Sequence, residues 1–350
     1  MKELSTKSIL TSLMSVLSRK IFYFLILFVS VNAIGLPAFT QVTDTSRIKG
    51  VFKITKIVDG DTFRFENLDK STRLLHIDTE ETYKGKDALK KTNDISIDWN
   101  QIYEEEKNKK GTFPVKIESP FGYETWKWTE DFLKDIDSIR LEKDDDNRTI
   151  DIYGRLLVYA FFIAKDGKEY NYNIECVRAG YSPYFNKYGN SKRFHKEFIQ
   201  AQQYAIENKL GIWNPDSKCY PDYVFRIKWW NVRAEQIMNF EKKYTENENF
   251  FNLSNDGEFD RLKNYEGKNV TVFANISEIC NDKFPYTLKI NYSVKDFMYV
   301  LINEEDNFIY DDLNLEVNKH YYVYVKGILA KKGDLYYIEL KIKDNFWTEN

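Results

Sequence analysis

Val58–Thr82, VDGDTFRFENLDKSTRLLHIDTEET, is the stretch whose reading decides the fold. It sets four carboxylates (Asp59, Asp61, Asp78 and Glu81) and one arginine, Arg73, around two short apolar runs. Asp59-Gly60-Asp61 reads as a tight reversal, because glycine tolerates positive φ and aspartate bonds its own backbone. Phe63 and Phe65 alternate with Arg64 and Glu66, the period of a half-buried strand. Asp69-Lys70-Ser71 supplies a second turn, and Arg73–Ile77 a third strand with an apolar centre. Acidic residues at the ends of such strands can converge in space. A cluster made only of oxygens suits a hard cation such as Ca²⁺ or Mg²⁺. An arginine beside it suits a phosphate group, whose oxygens a guanidinium grips bidentately. A solvated loop is the competing reading for any one acidic turn; the combination, with Tyr153-Gly154-Arg155 further along, points to a site.

Upstream, Gly50–Val58 alternates as the first strand, and Gln41–Arg47 is a polar lead-in. Residues 1–40 place Arg19-Lys20 before the apolar run IFYFLILFVSV, which ends near Asn32-Ala33. Basic flank, apolar core and small residues make a secretory signal, or a retained signal anchor if uncleaved. The run is short for a membrane span, and no cysteine nearby suggests a lipid anchor. The expected location is therefore secreted, periplasmic or at the cell surface, with no stable membrane partner unless the signal stays. The whole chain of 350 residues carries −3; its first forty hold four basic residues and one acidic, so the rest carries about −6. A chain that acidic does not bind polyanions in bulk, and contact with nucleic acid needs local cations or a bound metal. Three scattered cysteines (Cys176, Cys219, Cys280) and three scattered histidines (His76, His195, His320) exclude a zinc cluster and disfavour histidine catalysis.

Downstream, Tyr83–Ser119 is lysine-rich and poorly periodic, which predicts a mobile insertion with at most a short helix near Ile102–Lys107. Helical spacing predicts helices over Phe121–Asp135, Asn173–Gly180 and Ser191–Asn208. Strands are predicted at Ser138–Glu142 and Leu156–Ala164, with Lys143–Asn147 as a solvated acidic turn. Residues 214–255 form a helical linker. Within it, Val224–Phe240 carries Arg226, Lys228 and Arg233 beside Trp229 and Trp230, which could stack on bases or pack between domains. Residues 256–350 read as five strands of a small Greek-key barrel, either a nucleic-acid-binding module or a structural one.

Three segments occur in order: Asp59-Gly60-Asp61-Thr62, Arg73–Thr82 (RLLHIDTEET) and Asp151-Ile152-Tyr153-Gly154-Arg155. Together with Asn173–Gly180 and Leu210-Gly211-Ile212-Trp213, they resemble the signatures of the staphylococcal nuclease (thermonuclease) family over residues 48–213. The resemblance implies an α+β fold, mostly β: an OB-type five-stranded barrel with helices, here followed by a second OB-like barrel. It implies calcium-dependent hydrolysis of DNA and RNA phosphodiesters by a monomer holding one Ca²⁺. Carried over by position, Asp61 and Asp78 ligate Ca²⁺ through side chains and Thr79 through its carbonyl. Glu81 is the general base, Arg73 and Arg155 hold the phosphate, and Asp59 stands behind the ligands. Tyr184 and Tyr188 are the candidates for nucleotide contact. Two departures stand out. Glu80 replaces the family's usual proline, which should loosen the turn before Glu81, and the Tyr83–Ser119 insertion lengthens the following loop. The alternative function is an inactive nucleic-acid-binding module of the same fold.

Overall fold

The computed structural model describes residues 45–349 other than 95, 97 and 112, so the expected signal segment lies outside the described residues. Strand β1 (Ile48–Phe52) continues into β2 (Ile54–Ile57). β3 (Thr62–Phe65) and β4 (Thr72–Leu74) follow, and β5 (Glu81–Thr82) begins the insertion. The insertion holds helices α1 (Ala88–Thr92) and α2 (Trp99–Lys110) and closes with β6 (Glu118–Ser119). Then come α3 (Pro120–Leu133), β7 (Ile139–Glu142), β8 (Leu156–Ile163), β9 (Glu169–Asn171), α4 (Tyr172–Arg178) and α5 (His195–Glu207).

The sheet runs β1-β7-β8-β4-β3-β2. Because β1 flows into β2, both ends of that order are one bent strand, and the sheet closes into a five-stranded barrel. Closure removes the open edges that a small antiparallel sheet would otherwise expose. β4 and β8 pair in parallel, the remaining barrel neighbours antiparallel. Strand β3 has the burial its alternation predicts, with Phe63 and Phe65 inside and Arg64 outside. β8 (LLVYAFFI) is buried along nearly its whole length, as an apolar strand covered on both faces should be. The third strand is shorter than Arg73–Ile77 predicts. It ends at Leu74, and the chain turns through His76 at φ 59°. Asn173, fully buried on α4, ties off the backbone there through Leu75, Val158 and Ala160.

α6 (Tyr223–Tyr244) leads to β10 (Phe250–Asn252) and α7 (Glu258–Lys263). The second barrel is built from β11 (Asn269–Cys280), β12 (Tyr286–Asn291) and β13 (Phe297–Ile302), helices α8 (Phe308–Asp312) and α9 (Leu315–Asn318), then β14 (Tyr322–Lys332) and β15 (Leu335–Glu339). The path β11-β12-β13-β15-β14 closes through a β11–β14 pairing, and β13 and β15 run parallel. This is the connectivity of the first barrel repeated. Its core is a separate apolar cluster that includes Val270, Leu288, Val300, Val325 and Ile338.

The chain from Ser46 onward forms one compact unit, and α6 is the reason. Trp230, Arg233, Gln236, Ile237 and Phe240 on it are all buried. Arg233 donates to the Lys187 carbonyl (3.1 Å) on one side, and to the His320 carbonyl (2.8 Å) and Asn275 (2.6 Å) on the other. Of the two readings for the tryptophans and their basic neighbours, packing between barrels describes Trp229 and Arg233, which both donate to the His320 carbonyl; Trp230 packs on Phe185, Arg226 bonds the insertion at Tyr103 and Val115, and Lys228 is exposed. No helix among the described residues is long and apolar enough to cross a membrane. Cys176, Cys219 and Cys280 are free thiols.

Candidate active site

The Asp59 turn is fixed by its own bonds. Asp59 Oδ1 accepts from the Asp61 amide (3.1 Å), and the Val58 amide donates to the Thr62 carbonyl (3.0 Å). Thr62 lies opposite Arg73 in the β3–β4 register, so Asp61, one residue earlier, reaches the Arg73 guanidinium. Arg73 bridges two carboxylates: Nη1 pairs with Asp61 and Nη2 with Asp78 at 2.5 Å. Asp61 Oδ2 also accepts from the Thr79 amide (3.0 Å) and Oδ1 from the Thr62 hydroxyl (3.0 Å). The Asp78 amide donates to Ser182 Oγ (2.8 Å), which binds the loop Tyr181–Tyr188 to this strand end. Asp61 and Asp78 therefore converge on one point, as the sequence predicts.

Glu81 sits on β5, which pairs in parallel with β6, so the two ends of the insertion are zipped together beside it. Ser119 caps α3 by accepting from the Gly122 amide (2.8 Å). α3 enters so close that a Cβ on Gly122 would lie 2.1 Å from the Glu81 carbonyl oxygen. Glu80 is the correction to the loosened turn. It is 1% exposed and accepts from the Ser119 hydroxyl, the Tyr220 amide (2.6 Å) and the Tyr223 hydroxyl (2.8 Å). It clamps the residue before Glu81 instead of freeing it, and burial pushes its carboxyl up to about 7.

Arg155 follows a turn organised by Asp151, which accepts from the Tyr153 and Arg155 amides (2.9 Å each) and from Arg155 Nε (2.7 Å). The second barrel supports this turn. Asp256 accepts from Thr149, and the Val294 amide donates to the Ile152 carbonyl (3.0 Å).

These residues share one cleft of about 400 Å³, with Asp59, Asp61, Arg73, Asp78, Glu81, Arg155 and Tyr188 on its walls. Six cations (Arg73, Lys116, Arg148, Arg155, Lys187, Arg226) line it against five carboxylates, so the site is locally positive in an acidic chain. Burial drives the Asp59 carboxyl up, against the pull of Arg73. Burial would do the same to Asp78, but Lys116 and Arg73 outweigh it and hold Asp78 low. Tyr188 carries Arg148 over its ring at 4.3 Å, and Lys187, Arg233 and Arg148 pull its phenol down to about 8.

Tyr184 is a correction. It is 5% exposed, stacked on Phe198 and hydrogen-bonded to His195 and the Ser191 amide, so it belongs to the core and does not face the cleft. The insertion is a second. It is packed, with Trp99 and Tyr103 buried against Tyr220 and Tyr223. Lys143–Asn147 is a third, since Asp144 is buried and accepts from the Lys192 amide (2.9 Å) beside His76. The sequence reading missed Lys116 and Lys187 as cleft residues, and Trp229, one of its base-stacking candidates, lines the cleft as well. The alternation Val115-Lys116-Ile117 was the available signal for the first.

A calcium ion fits the donor set in kind. Asp61, Asp78 and the Thr79 carbonyl are hard oxygens, and Thr79 Oγ1 is buried without a hydrogen-bond partner. Among the described residues no group of three or more Asp, Glu, His or Cys is gathered closely enough to hold a metal alone. Two carboxylates meet here, and Arg73 and Lys116 share them.

Residues 71–215 match the family described as staphylococcal nuclease homologue. The chain is also 29% identical over 165 residues to the uncharacterized protein MJ1439 of Methanocaldococcus jannaschii, covering 46% of this chain and 70% of that protein.

Proposed function

We propose, from the match of residues 71–215 to the staphylococcal nuclease homologue family, that the chain is an exported, calcium-dependent nuclease acting on DNA, RNA or both. The observation that carries the reading is the meeting of Asp61, Asp78, Arg73, Glu81 and Arg155 in one cleft. When bound, the cation would be held by Asp61, Asp78 and the Thr79 carbonyl, and would neutralise charge developing on the phosphate. Arg73 and Arg155 bind and orient the phosphodiester, and their charge grows more favourable as the pentavalent transition state forms. Glu81 accepts the proton of the attacking water, whose oxygen forms the new P–O bond as the bond to the leaving oxygen breaks, and that oxygen takes a proton from solvent. The Glu80 clamp, the Ser119 cap and the close seat of Gly122 hold the Glu81 backbone still.

One observation favours the rival reading of an inactive binding module: in this structure the Arg73 guanidinium is paired with the two aspartates of the cleft and is not left open to a phosphate. Cleavage of single-stranded DNA and of RNA by the full chain, with Ca²⁺ and with EDTA, separates the two. Activity in Ca²⁺ that disappears in EDTA, and falls by at least a hundredfold in Glu81→Gln and in Arg155→Ala, is the expected result. Retention of the oligonucleotide without cleavage would establish the binding module instead. The second barrel is read as a support for the Arg155 turn and an auxiliary nucleic-acid surface.

A further inference from the structure

The insertion reaches the cleft through a strap whose residues are fixed one by one. Phe113 lies face to face with His320 of the second barrel, centroids 3.5 Å apart at 9°, and edge-on to Trp229. Val115 is buried; its amide donates to the Tyr103 hydroxyl (3.3 Å) and its carbonyl accepts from Arg226 (2.5 Å). The Ile117 amide donates to the Tyr220 hydroxyl (3.1 Å), which donates back to the Ile117 carbonyl (2.5 Å). In an extended chain neighbouring side chains point to opposite faces. With Val115 and Ile117 both tied to Tyr103, Tyr220 and α6, Lys116 faces the other way, and its ammonium pairs with Asp78 Oδ1.

Asp78 thus meets two cations that differ in freedom. Arg73 is 13% exposed and wedged between two carboxylates, whereas Lys116 is 42% exposed on a flexible stem. A divalent ion taking Asp78 would compete directly with the lysine and repel it, and a substrate phosphate bound at Arg155, on the wall of the same cleft, would be a destination for the displaced ammonium. We propose that Lys116 is a further phosphate-binding residue of this nuclease, supplied by the insertion, which occupies Asp78 until a divalent cation binds and then contacts the substrate backbone. The inference rests on the nuclease reading of the site.

Its signature is a pair of effects with opposite sign. In Lys116→Met, Ca²⁺ measured alone by calorimetry on the full chain should bind about tenfold tighter, because a competing charge is gone. A short single-stranded oligonucleotide with hydrolysis-resistant phosphorothioate links, titrated at saturating Ca²⁺, should bind about tenfold weaker. Lys116→Arg should restore the oligonucleotide affinity. If both affinities are unchanged, or both fall together as damage to the strap would cause, the role of Lys116 is overturned while the nuclease reading stands. A wild-type chain that binds neither Ca²⁺ nor oligonucleotide overturns both.

Discussion

Replacing Glu80 with glutamine should change how stability depends on pH. Glu80 is 1% exposed, and its carboxyl is pushed by burial from an ordinary 4.5 up to about 7. Below about pH 4.5 the group is protonated in folded and unfolded chain alike, and its contribution is fully present. Between the two values only the unfolded chain ionises, so stability falls as pH rises, and above about 7 the loss is complete. A shift of about two and a half units at ~1.4 kcal/mol per unit amounts to roughly 3 to 4 kcal/mol. Glutamine keeps the shape and never ionises. Its oxygen can accept from the Tyr220 amide and the Tyr223 hydroxyl, and its amide can face the Ser119 hydroxyl, which is able to turn and accept. Urea unfolding of wild type and Glu80→Gln in EDTA, at steps from pH 5 to pH 8, measures the difference. The variant should gain about 2 to 3 kcal/mol on wild type across that range, part of the loss having already occurred at pH 5. Parallel stability curves, differing by less than about 0.5 kcal/mol in slope over the range, would mean that the three donors satisfy the ionised carboxylate fully and that burial does not govern it.

Two further outcomes are expected. Arg226 is 3% exposed and bonds Asp222, Tyr103 and the Val115 carbonyl; Arg226→Met leaves Asp222 without its main partner and should lower stability by about 3 kcal/mol in urea unfolding, and a loss under about 1 kcal/mol would mean that solvent replaces those bonds. Tyr188, with its phenol drawn down to about 8 by Lys187, Arg233 and Arg148, should ionise well before the other tyrosines. Absorbance at the phenolate band should show a step near pH 8 that Tyr188→Phe removes; a wild-type titration with no step below pH 9 contradicts that electrostatic account.

What the sequence determined by itself was local. Alternation at Phe63–Phe65, the turn residues of Asp59-Gly60-Asp61, and helical spacing after Phe121 follow from contacts each element makes with the barrel beneath it, and such contacts imprint a period on the chain. The ordered motifs did the same for Asp61, Arg73, Asp78, Glu81 and Arg155, which lie on strands fixed in register or in the turns that flank them. The tertiary structure decided the rest. α2 buries only Trp99 and Tyr103, one turn apart among charged neighbours, too little apolar surface to write a pattern, so a packed insertion read as a mobile one. Tyr184 and Tyr188 are alike in sequence, yet one stacks on Phe198 in the core and the other faces the cleft. Glu80 holds its turn and Lys116 meets Asp78 through partners far along the chain. Bonds of that range leave no local period, and only the folded chain brings their ends together.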